Sequence, residues 1–329
     1  MGRTIHRCDA ETLAQDISGK VYIVTGANSG VGLETTRQLI KQGGHVVMAC
    51  RRVSAGEHEA ATFAGLRGSW EVMACDLADL ASVRRFVDGF LAKHQRLDGL
   101  MCNAGMVNMH NDVQLTKDGL ELTMAASFFG HFLMTELLLD ILQASAPSRI
   151  GLLSSVMHAG NPKNRPQIHL DDLNFQNRPF NNFAAYGEAK LAMVLYAQEL
   201  AERLEGSGVT TASIHPGWAR SNFASGGNVL MKSLMTVARP LFTLFRTSDT
   251  NEDSAQTSLH VLLSKDAPRH NGSYFSQSSV LYRDPGTRNG GWPMRSPNPN
   301  AHDMNVARKL TAQARLDVGL DAPPAEMTG

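Results

Sequence analysis

A strand, a glycine-rich turn and a helix start follow one another directly near the N-terminus. The strand reads Val-Tyr-Ile-Val-Thr over residues 21–25, and the turn reads Gly-Ala-Asn-Ser-Gly-Val-Gly over residues 26–32. Glycine lets a backbone turn sharply and approach a pyrophosphate closely, and the N–H groups of a helix N-terminus attract the phosphate charge. We therefore predict a dinucleotide site here, with an ordinary turn between a strand and a helix as the alternative.

Strand-like segments alternate with helical patterns along most of the chain, including a long helical pattern over residues 115–142. This rhythm predicts an α/β fold: a single Rossmann-type, doubly wound parallel sheet of about seven strands with helices on both faces. We place the strands at residues 21–25, 45–50, 70–75, 97–102, 149–155, 209–214 and 272–276.

No linker or repeat divides the chain, so we predict one domain over residues 19–320, which holds the dinucleotide site. Residues 1–18 would form an N-terminal arm and residues 321–329 a disordered tail. Residues 222–250 are apolar and rich in methionine, which predicts a mobile lid over an apolar substrate, with a core helix as the alternative. Residues 283–300 are dense in Pro, Gly and Asn, which predicts a surface loop.

Charge and composition weigh against several classes of protein. The 329 residues hold 31 Lys plus Arg and 31 Asp plus Glu, so nothing favours nucleic acid or an anionic membrane surface as a partner. No apolar run reaches the roughly 18 residues that span a bilayer, and residues 1–16 lack the apolar segment of a secretion signal. None of the four cysteines has a metal-ligand spacing, so we predict no metal site and a reduced, cytoplasmic protein.

Two arginines, Arg51 and Arg52, stand where the second strand ends, and no acidic residue accompanies them. In dinucleotide folds this position meets the adenosine ribose, where an acidic residue binds a 2′-hydroxyl and an arginine suits a 2′-phosphate. We therefore predict NADP(H) as the cofactor, bound through Arg51. Two solvated arginines on a surface turn are the alternative.

A phenol and an ammonium, Tyr186 and Lys190, lie four residues apart and therefore on one face of a helix. A nearby ammonium lowers the pKa of a tyrosine from about 10 towards neutrality, so that Tyr186 can give a proton to a carbonyl oxygen. Ser155, at the end of the fifth strand, can hydrogen-bond the same carbonyl. Each of these residues also occurs often by chance, and only their combination points to a site.

Seven motifs, in this order and spacing, resemble the short-chain dehydrogenase/reductase family from about residue 20 to residue 320. Two further features, Gly-His-Phe-Leu at 130–133 and the long insert before Tyr186, resemble its retinol dehydrogenase-like and protochlorophyllide reductase-like members. Asn-Ala-Gly departs from the Asn-Ala-Ala of protochlorophyllide reductases, which weighs against that substrate. The seven motifs are Thr-Gly-Ala-Asn-Ser-Gly-Val-Gly at 25–32, Arg51, Asp76-Leu77, Asn103-Ala104-Gly105, Ser155, Tyr186 with Lys190, and His215-Pro216-Gly217.

The resemblance implies a role for each matching residue. Tyr186 would act as general acid/base, Lys190 would hold the nicotinamide ribose and tune Tyr186, and Ser155 would orient the substrate carbonyl. Members of the family often form dimers or tetramers through the helix that carries Tyr186 and Lys190, so the resemblance implies a possible homo-oligomer. The cofactor would contact Gly26, Asn28, Ser29, Gly30, Val31 and Gly32 with its pyrophosphate and adenosine ribose, Asp76 and Leu77 with its adenine, Asn103, Ala104 and Gly105 with its ribose, and Pro216 and Gly217 with its nicotinamide.

Ser127 stands where the family usually carries an asparagine that completes a proton relay through water and the lysine. In that relay the water is held largely by a main-chain carbonyl at a helix kink, and a serine residue still provides such a carbonyl. A serine side chain can also bond to the carbonyls of its own helix and thereby bend the helix. We therefore count Ser127 among the catalytic residues.

Two functions remain open from the sequence. The leading prediction is an NADP(H)-dependent oxidoreductase that transfers hydride between nicotinamide and a carbonyl or alcohol of a lipophilic small molecule. The alternative, motivated by Ser127, is a catalytically weak NADP(H)-binding sensor or regulatory protein. An extended nucleotide-sugar epimerase would need the glycine spacing Gly-x-x-Gly-x-x-Gly, which this turn lacks.

Overall fold

The computed structural model describes residues 5–217, 250–282 and 284–321. Its strands are β1 Val21–Thr25, β2 His45–Cys50, β3 Ser69–Ala74, β4 Gly99–Cys102, β5 Ser148–Leu153, β6 Val209–His215, β7 Tyr274–Ser276 and β8 Gly291–Met294. Within the described residues they form one sheet in the order β3-β2-β1-β4-β5-β6-β7-β8, parallel throughout except for the antiparallel pair β7 and β8. The strand order reverses between β1 and β4, which is where open α/β sheets bind their ligands.

Helices cover both faces of this sheet. In β1, Tyr22 and Val24 face a core that includes the helices over residues 30–41 and 251–263. Ile23 faces a core that includes the helices over residues 80–91, 122–144 and 182–203. The predicted doubly wound α/β fold is therefore confirmed. The helices are α1 Ala10–Ala14, α2 Gly30–Lys41, α3 Val53–Ala60, α4 Leu80–Leu91, α5 Leu122–Ala144, α6 Asn182–Arg203, α7 Asn251–Leu263 and α8 Met304–Asp317.

Two elements differ from the sequence prediction. Residues 283–300 were expected to be loop throughout, but β8 lies inside them; because β8 is the last strand of the sheet, its proline and glycine interrupt no central ladder. The long helix over 115–142 begins only at Leu122. The predicted first part of the helix is instead an irregular segment that precedes α5. Within this segment Leu115 and Glu121 form an isolated antiparallel bridge.

The domain boundaries stay predictions. The described part of the N-terminal arm is tied to the body, because the Cys8 N–H donates to Gln256 Oε1 at 3.1 Å and Ile17 is buried. The predicted lid over 222–250 lies outside the described residues except for Thr250, which caps α7. The predicted tail over 321–329 lies outside them except for Asp321.

The α5 helix is long and apolar enough, by length and composition alone, to cross a membrane. However, 83% of its most apolar 18-residue window is buried inside the protein, which is the usual environment of a core helix. A turn of π-helix at Ala125–Phe129 widens α5 near its start. The absence of a transmembrane segment stays a prediction.

The C-terminal helix α8 packs on α6 with its apolar face. Leu310 and Ala314 of α8 are fully buried in the same core as the α6 side chains. A buried carboxylate, Glu136 of α5, joins the three helices: Arg203 of α6 and Arg315 of α8 both form ion pairs with it at 2.5 Å.

Candidate active site

The glycine-rich turn after β1 has the geometry of a phosphate cradle. Gly26 and Gly30 have φ angles of +63° and +57°, which a side chain would strain, and a Cβ on Gly32 would lie 2.5 Å from the Gly26 carbonyl oxygen. Ser29 is the N-cap of α2 but makes no capping bond with its side chain among the described residues, so the first N–H groups of α2 keep their capacity for an anion. Asn28 is half-buried in this turn, and Val31 is buried beneath it.

Thr25 links the ends of β1 and β4. Its Oγ1 accepts the N–H groups of Asn103 and Ala104, both at 2.9 Å, and its carbonyl accepts Asn103 Nδ2 at 2.8 Å. The Nε2 of His131 lies 2.9 Å from Thr25 Oγ1, and burial lowers the pKa of His131 to about 3, so this histidine is neutral. Our sequence reasoning assigned no role to Thr25 or His131, although both lie inside motifs that it used.

The predicted adenosine contacts lie along the same edge of the sheet. Asp76 forms a tight turn after β3, with its Oδ1 accepting the Ala78 N–H at 3.0 Å. Leu77 is buried against α5, where a Cβ on Gly130 would lie 2.3 Å from the Leu77 carbonyl oxygen. Arg51 is exposed just beyond β2 and pairs with no acidic group in the described parts of the chain. Its guanidinium is thus available to a ligand.

Ser155 and the two α6 residues come together beyond the end of β5. A side-chain hydrogen bond joins Tyr186 to Ser155. Lys190 is almost completely buried, with its Nζ 5.6 Å from the centre of the Tyr186 ring and 2.7 Å from the Leu153 carbonyl oxygen, to which it donates. The structure thus assembles a phenol, a hydroxyl and an amine within one small volume.

Ser127 lies in the π-helical turn of α5 and faces this group. Its Oγ bonds the backbone N–H and carbonyl of Met106, both at 3.2 Å, rather than a carbonyl of its own helix. A Cβ on Gly105 would lie 3.1 Å from Lys190 Nζ and 3.5 Å from Ser127 Oγ. Gly105 therefore keeps open the space between Lys190 and Ser127. Single-turn π segments are frequent at functional sites.

The end of β6 borders the same region. His215 Nδ1 lies 3.3 Å from the Val156 N, which joins this strand end to the residue after Ser155. Pro216 is buried, and Gly217 has a φ angle of +88°. Both follow β6 directly, as expected for residues that would border a nicotinamide.

The family model described as short chain dehydrogenase matches residues 20–164. Retinol dehydrogenase 13 of Homo sapiens is 38% identical over 310 residues, which cover 93% of this chain and 87% of that protein. Retinol dehydrogenase 12 of Homo sapiens is 39% identical over 275 residues, 83% of this chain and 82% of that protein. The chain belongs to the short-chain dehydrogenase family.

Solved structures share the fold of this dehydrogenase. An uncharacterized protein from Mycobacterium paratuberculosis, 29% identical, superposes with a TM-score of 0.71 over 94% of this chain and 97% of that chain. The Pseudomonas aeruginosa RhlG/NADP active-site complex, 20% identical, gives a TM-score of 0.63 over 79% of this chain and 95% of that chain. The resemblance to retinol dehydrogenase-like members is confirmed by the curated relatives.

This dehydrogenase is an oxidoreductase that uses a nicotinamide cofactor. The residues present fit that group, because the positive φ angles of Gly26 and Gly30 and the close approach at Gly32 give the tight glycine turn that such a cofactor needs. In addition, α2 presents N–H groups to a phosphate.

The predicted fall in the pKa of Tyr186 was wrong for the protein alone. Burial raises the pKa of Tyr186 above its usual value of 10, with only partial compensation from the hydrogen bond to Ser155. Burial also lowers the pKa of Lys190 to about 7. Both groups lose water on folding, and Lys190 donates to Leu153 rather than to the phenol oxygen.

Proposed function

We propose that this short-chain dehydrogenase is NADP(H)-dependent and transfers hydride between nicotinamide and a carbonyl or alcohol group of a lipophilic, retinoid-like molecule. The observation that carries the proposal is the hydrogen bond between the side chains of Tyr186 and Ser155, with Lys190 one turn along the same helix. This group lies at the edge of the sheet where the glycine-rich turn also ends.

When bound, the nicotinamide supplies or accepts the hydride. The Tyr186 hydroxyl gives a proton to the carbonyl oxygen during reduction and takes one from the alcohol during oxidation. Ser155, already bonded to that phenol, holds the same oxygen in place. A protonated Lys190 favours the phenolate form of Tyr186, and the space at Gly105 leads from Lys190 towards Ser127 as a path for proton exchange.

The substrate class rests on two supports. The relatives that match over most of this chain are named retinol dehydrogenases, and the apolar, methionine-rich residues 222–250 follow β6 in sequence, where loops set specificity in this fold. NADP(H) rather than NAD(H) rests on Arg51, which pairs with no acidic group among the residues that the structure describes. A cytoplasmic location and a homo-oligomer are further proposals that rest on sequence alone.

The test is NADPH consumption with a panel of aldehydes and ketones of rising hydrophobicity, retinal included, in the wild type and in Tyr186→Phe. We expect turnover to rise with apolar size and to fall at least 100-fold in the variant, because general acid catalysis contributes about 10²–10⁴-fold. NADPH binding by fluorescence, unchanged in the variant, controls for folding. Tight NADPH binding without turnover of any carbonyl would instead favour the sensor.

A further inference from the structure

Two histidines and a glutamate meet near the amino-terminal ends of β2 and β3, whereas the candidate active site lies beyond the carboxyl-terminal ends of the strands. His45 is the first residue of β2, Glu71 lies in β3, and His94 follows the end of α4. In the register of the sheet His45 lies beside Ser69, and Ser69 and Glu71 share one face because they are two residues apart on a strand. The cluster therefore stands at the strand starts, away from Tyr186.

The donor atoms of this cluster converge. His94 Nε2 lies 2.5 Å from Glu71 Oε1, and His45 Nε2 lies 3.9 Å from the same oxygen. One ligand atom from each of the three residues falls within 4.8 Å of the others. The three side chains are partly buried, so their positions are constrained by the fold.

His45 supplies the second observation. Its Nδ1 lies 2.7 Å from Ser69 Oγ, which fixes the ring orientation. Its Nε2 is buried and has no hydrogen-bond partner among the described residues. Histidines that bind metals characteristically donate their other ring N–H to a neighbouring acceptor, and the bare nitrogen then faces the ion. His45 has the same arrangement, because its Nδ1 contacts Ser69 Oγ and its unbonded Nε2 lies 3.9 Å from Glu71 Oε1.

We propose that His45 Nε2, Glu71 Oε1 and His94 Nε2 bind a divalent transition-metal ion of the Zn²⁺ type. Two imidazoles and one carboxylate are a familiar ligand set for such ions, with the fourth position left to water. Zn–N and Zn–O distances of about 2.0–2.2 Å place neighbouring ligand atoms about 3.3–3.5 Å apart. Binding therefore lengthens the 2.5 Å contact between His94 and Glu71 by about 1 Å and shortens the 3.9 Å distance between His45 and Glu71 by about 0.5 Å.

Lys93 is the competing cation. Its Nζ lies 2.7 Å from Glu71 Oε2, the oxygen that the proposed site does not use, and its side chain is largely exposed. Lys93 can therefore leave when an ion arrives, but its charge opposes the ion. A substitution at Lys93 therefore distinguishes a metal site from a simple ion-pair cluster. Loss of the lysine should strengthen the binding of a metal ion, whereas it would weaken a cluster that is held together only by ion pairs.

The experiment measures Zn²⁺ binding to the full chain without a histidine tag, by competition with a chromogenic chelator. We expect one equivalent bound by the wild type, and a rise in Tm of about 5 °C at free Zn²⁺ 100-fold above Kd. His45→Gln and His94→Gln should each weaken binding at least 10-fold, Ser69→Ala about 10-fold, and Lys93→Ala should strengthen it. His58→Gln, at an exposed histidine on α3, is the matched control and should change nothing.

The proposal is overturned if the wild type binds no equivalent of Zn²⁺, or if His45→Gln and His94→Gln bind it as tightly as His58→Gln does. Circular dichroism of each variant establishes that it is folded. Carbonyl reduction by His94→Gln should equal that of the wild type, because the cluster lies at the far edge of the sheet.

Discussion

Lys190 holds its amine in the protein interior, with 1% of the residue exposed and one hydrogen bond to the Leu153 carbonyl. Burial lowers its pKa from 10.5 to about 7, so at neutral pH the folded protein keeps this proton only at a cost in free energy. The unfolded chain keeps the proton up to about pH 10.5. Function and stability therefore make opposite demands on this residue.

Replacement of Lys190 should reveal that cost through pH. Between pH 7 and about 10.5 the unfolded wild type binds more protons than the folded state, so its stability should rise with pH, by at most about 1.4 kcal/mol per pH unit. Lys190→Met lacks this gain, so its stability relative to the wild type should be greatest near pH 7 and should decline towards pH 10. The variant should also lose activity. Tm measured from pH 6 to 10 without cofactor checks this, and parallel curves for the two proteins would contradict it.

Arg51 should decide between the two nicotinamide cofactors. Charge-assisted hydrogen bonds to a phosphate contribute about 1.5–3 kcal/mol, so Arg51→Ala should weaken NADPH binding roughly 10-fold or more and leave NADH binding nearly unchanged. Arg52→Ala, its exposed neighbour and the N-cap residue of α3, is the matched comparison. Equal losses for both cofactors, measured by fluorescence titration, would remove the NADP(H) assignment.

Single residues were predictable where their chemistry depends on order along the chain. The motif order alone indicated Tyr186, Lys190 and Ser155, and the structure brings these three together. The direction of the Tyr186 pKa was not predictable, because desolvation depends on what surrounds the phenol in three dimensions. The partners of Ser127 were also missed, since the Met106 backbone reaches it from a loop of irregular sequence.

The segment between β5 and α6 is held on α6 by a largely buried ion pair. Arg178 donates to both carboxylate oxygens of Glu188, at 2.7 and 2.6 Å, and Glu188 lies between Tyr186 and Lys190 in the sequence of α6. The guanidinium also lies 3.6 Å from the centre of the Phe175 ring, and Phe175 has a φ of +54°, rare for a non-glycine residue. This ion pair therefore fixes the last part of the irregular insert against α6.

Breaking this pair on one side should be costly. Arg178→Met leaves the Glu188 carboxylate buried without its partner, and we expect the free energy of unfolding to fall by about 3–5 kcal/mol. Arg178→Met combined with Glu188→Met removes both charges of the pair and should recover part of that loss, because Asp172, which lies 3.6 Å from Arg178, still loses its cation. Guanidinium unfolding at an unchanged m-value provides the measurement. A double variant as unstable as the single one would show that the pair acts through more than its charges.

Elements were predictable where one pattern repeats over enough residues. Buried parallel strands such as β1 and β2 are almost continuously apolar, and both were placed at their observed bounds. β8 was not predicted, because its four residues include Gly291 and Pro293, and glycine and proline in a short segment usually indicate a loop. Its pairing with β7 is a long-range contact that no local pattern encodes.

At the scale of the whole molecule, α8 occupies a surface that the family often uses for pairing. Leu310 and Ala314 cover α6, and Arg308 of α8 pairs with Glu202 of α6 at 2.7 Å. Two copies that met through the part of α6 beneath Leu310 and Ala314 would have to displace α8. A homo-oligomer stays a prediction, but we do not expect it to form through this face.

A charge beneath α8 should expose that face. Leu310→Asp places a carboxylate in the core and should release α8, so that dimers or larger species increase with concentration in size-exclusion light scattering. Lys309→Asp, at the exposed neighbouring position, is the control and should keep the wild-type mass. Identical masses and Tm values for the two variants would mean that α8 does not protect α6.

The last strand of the sheet has a further consequence for how copies of this protein meet. β8 is only four residues long and contains Pro293, which has no N–H to offer an incoming strand. A second chain therefore finds no continuous ladder of donors on that side, and sheets of separate molecules cannot grow into one another there. At high concentration in the cell, this border resists the cross-chain β-pairing that begins aggregation.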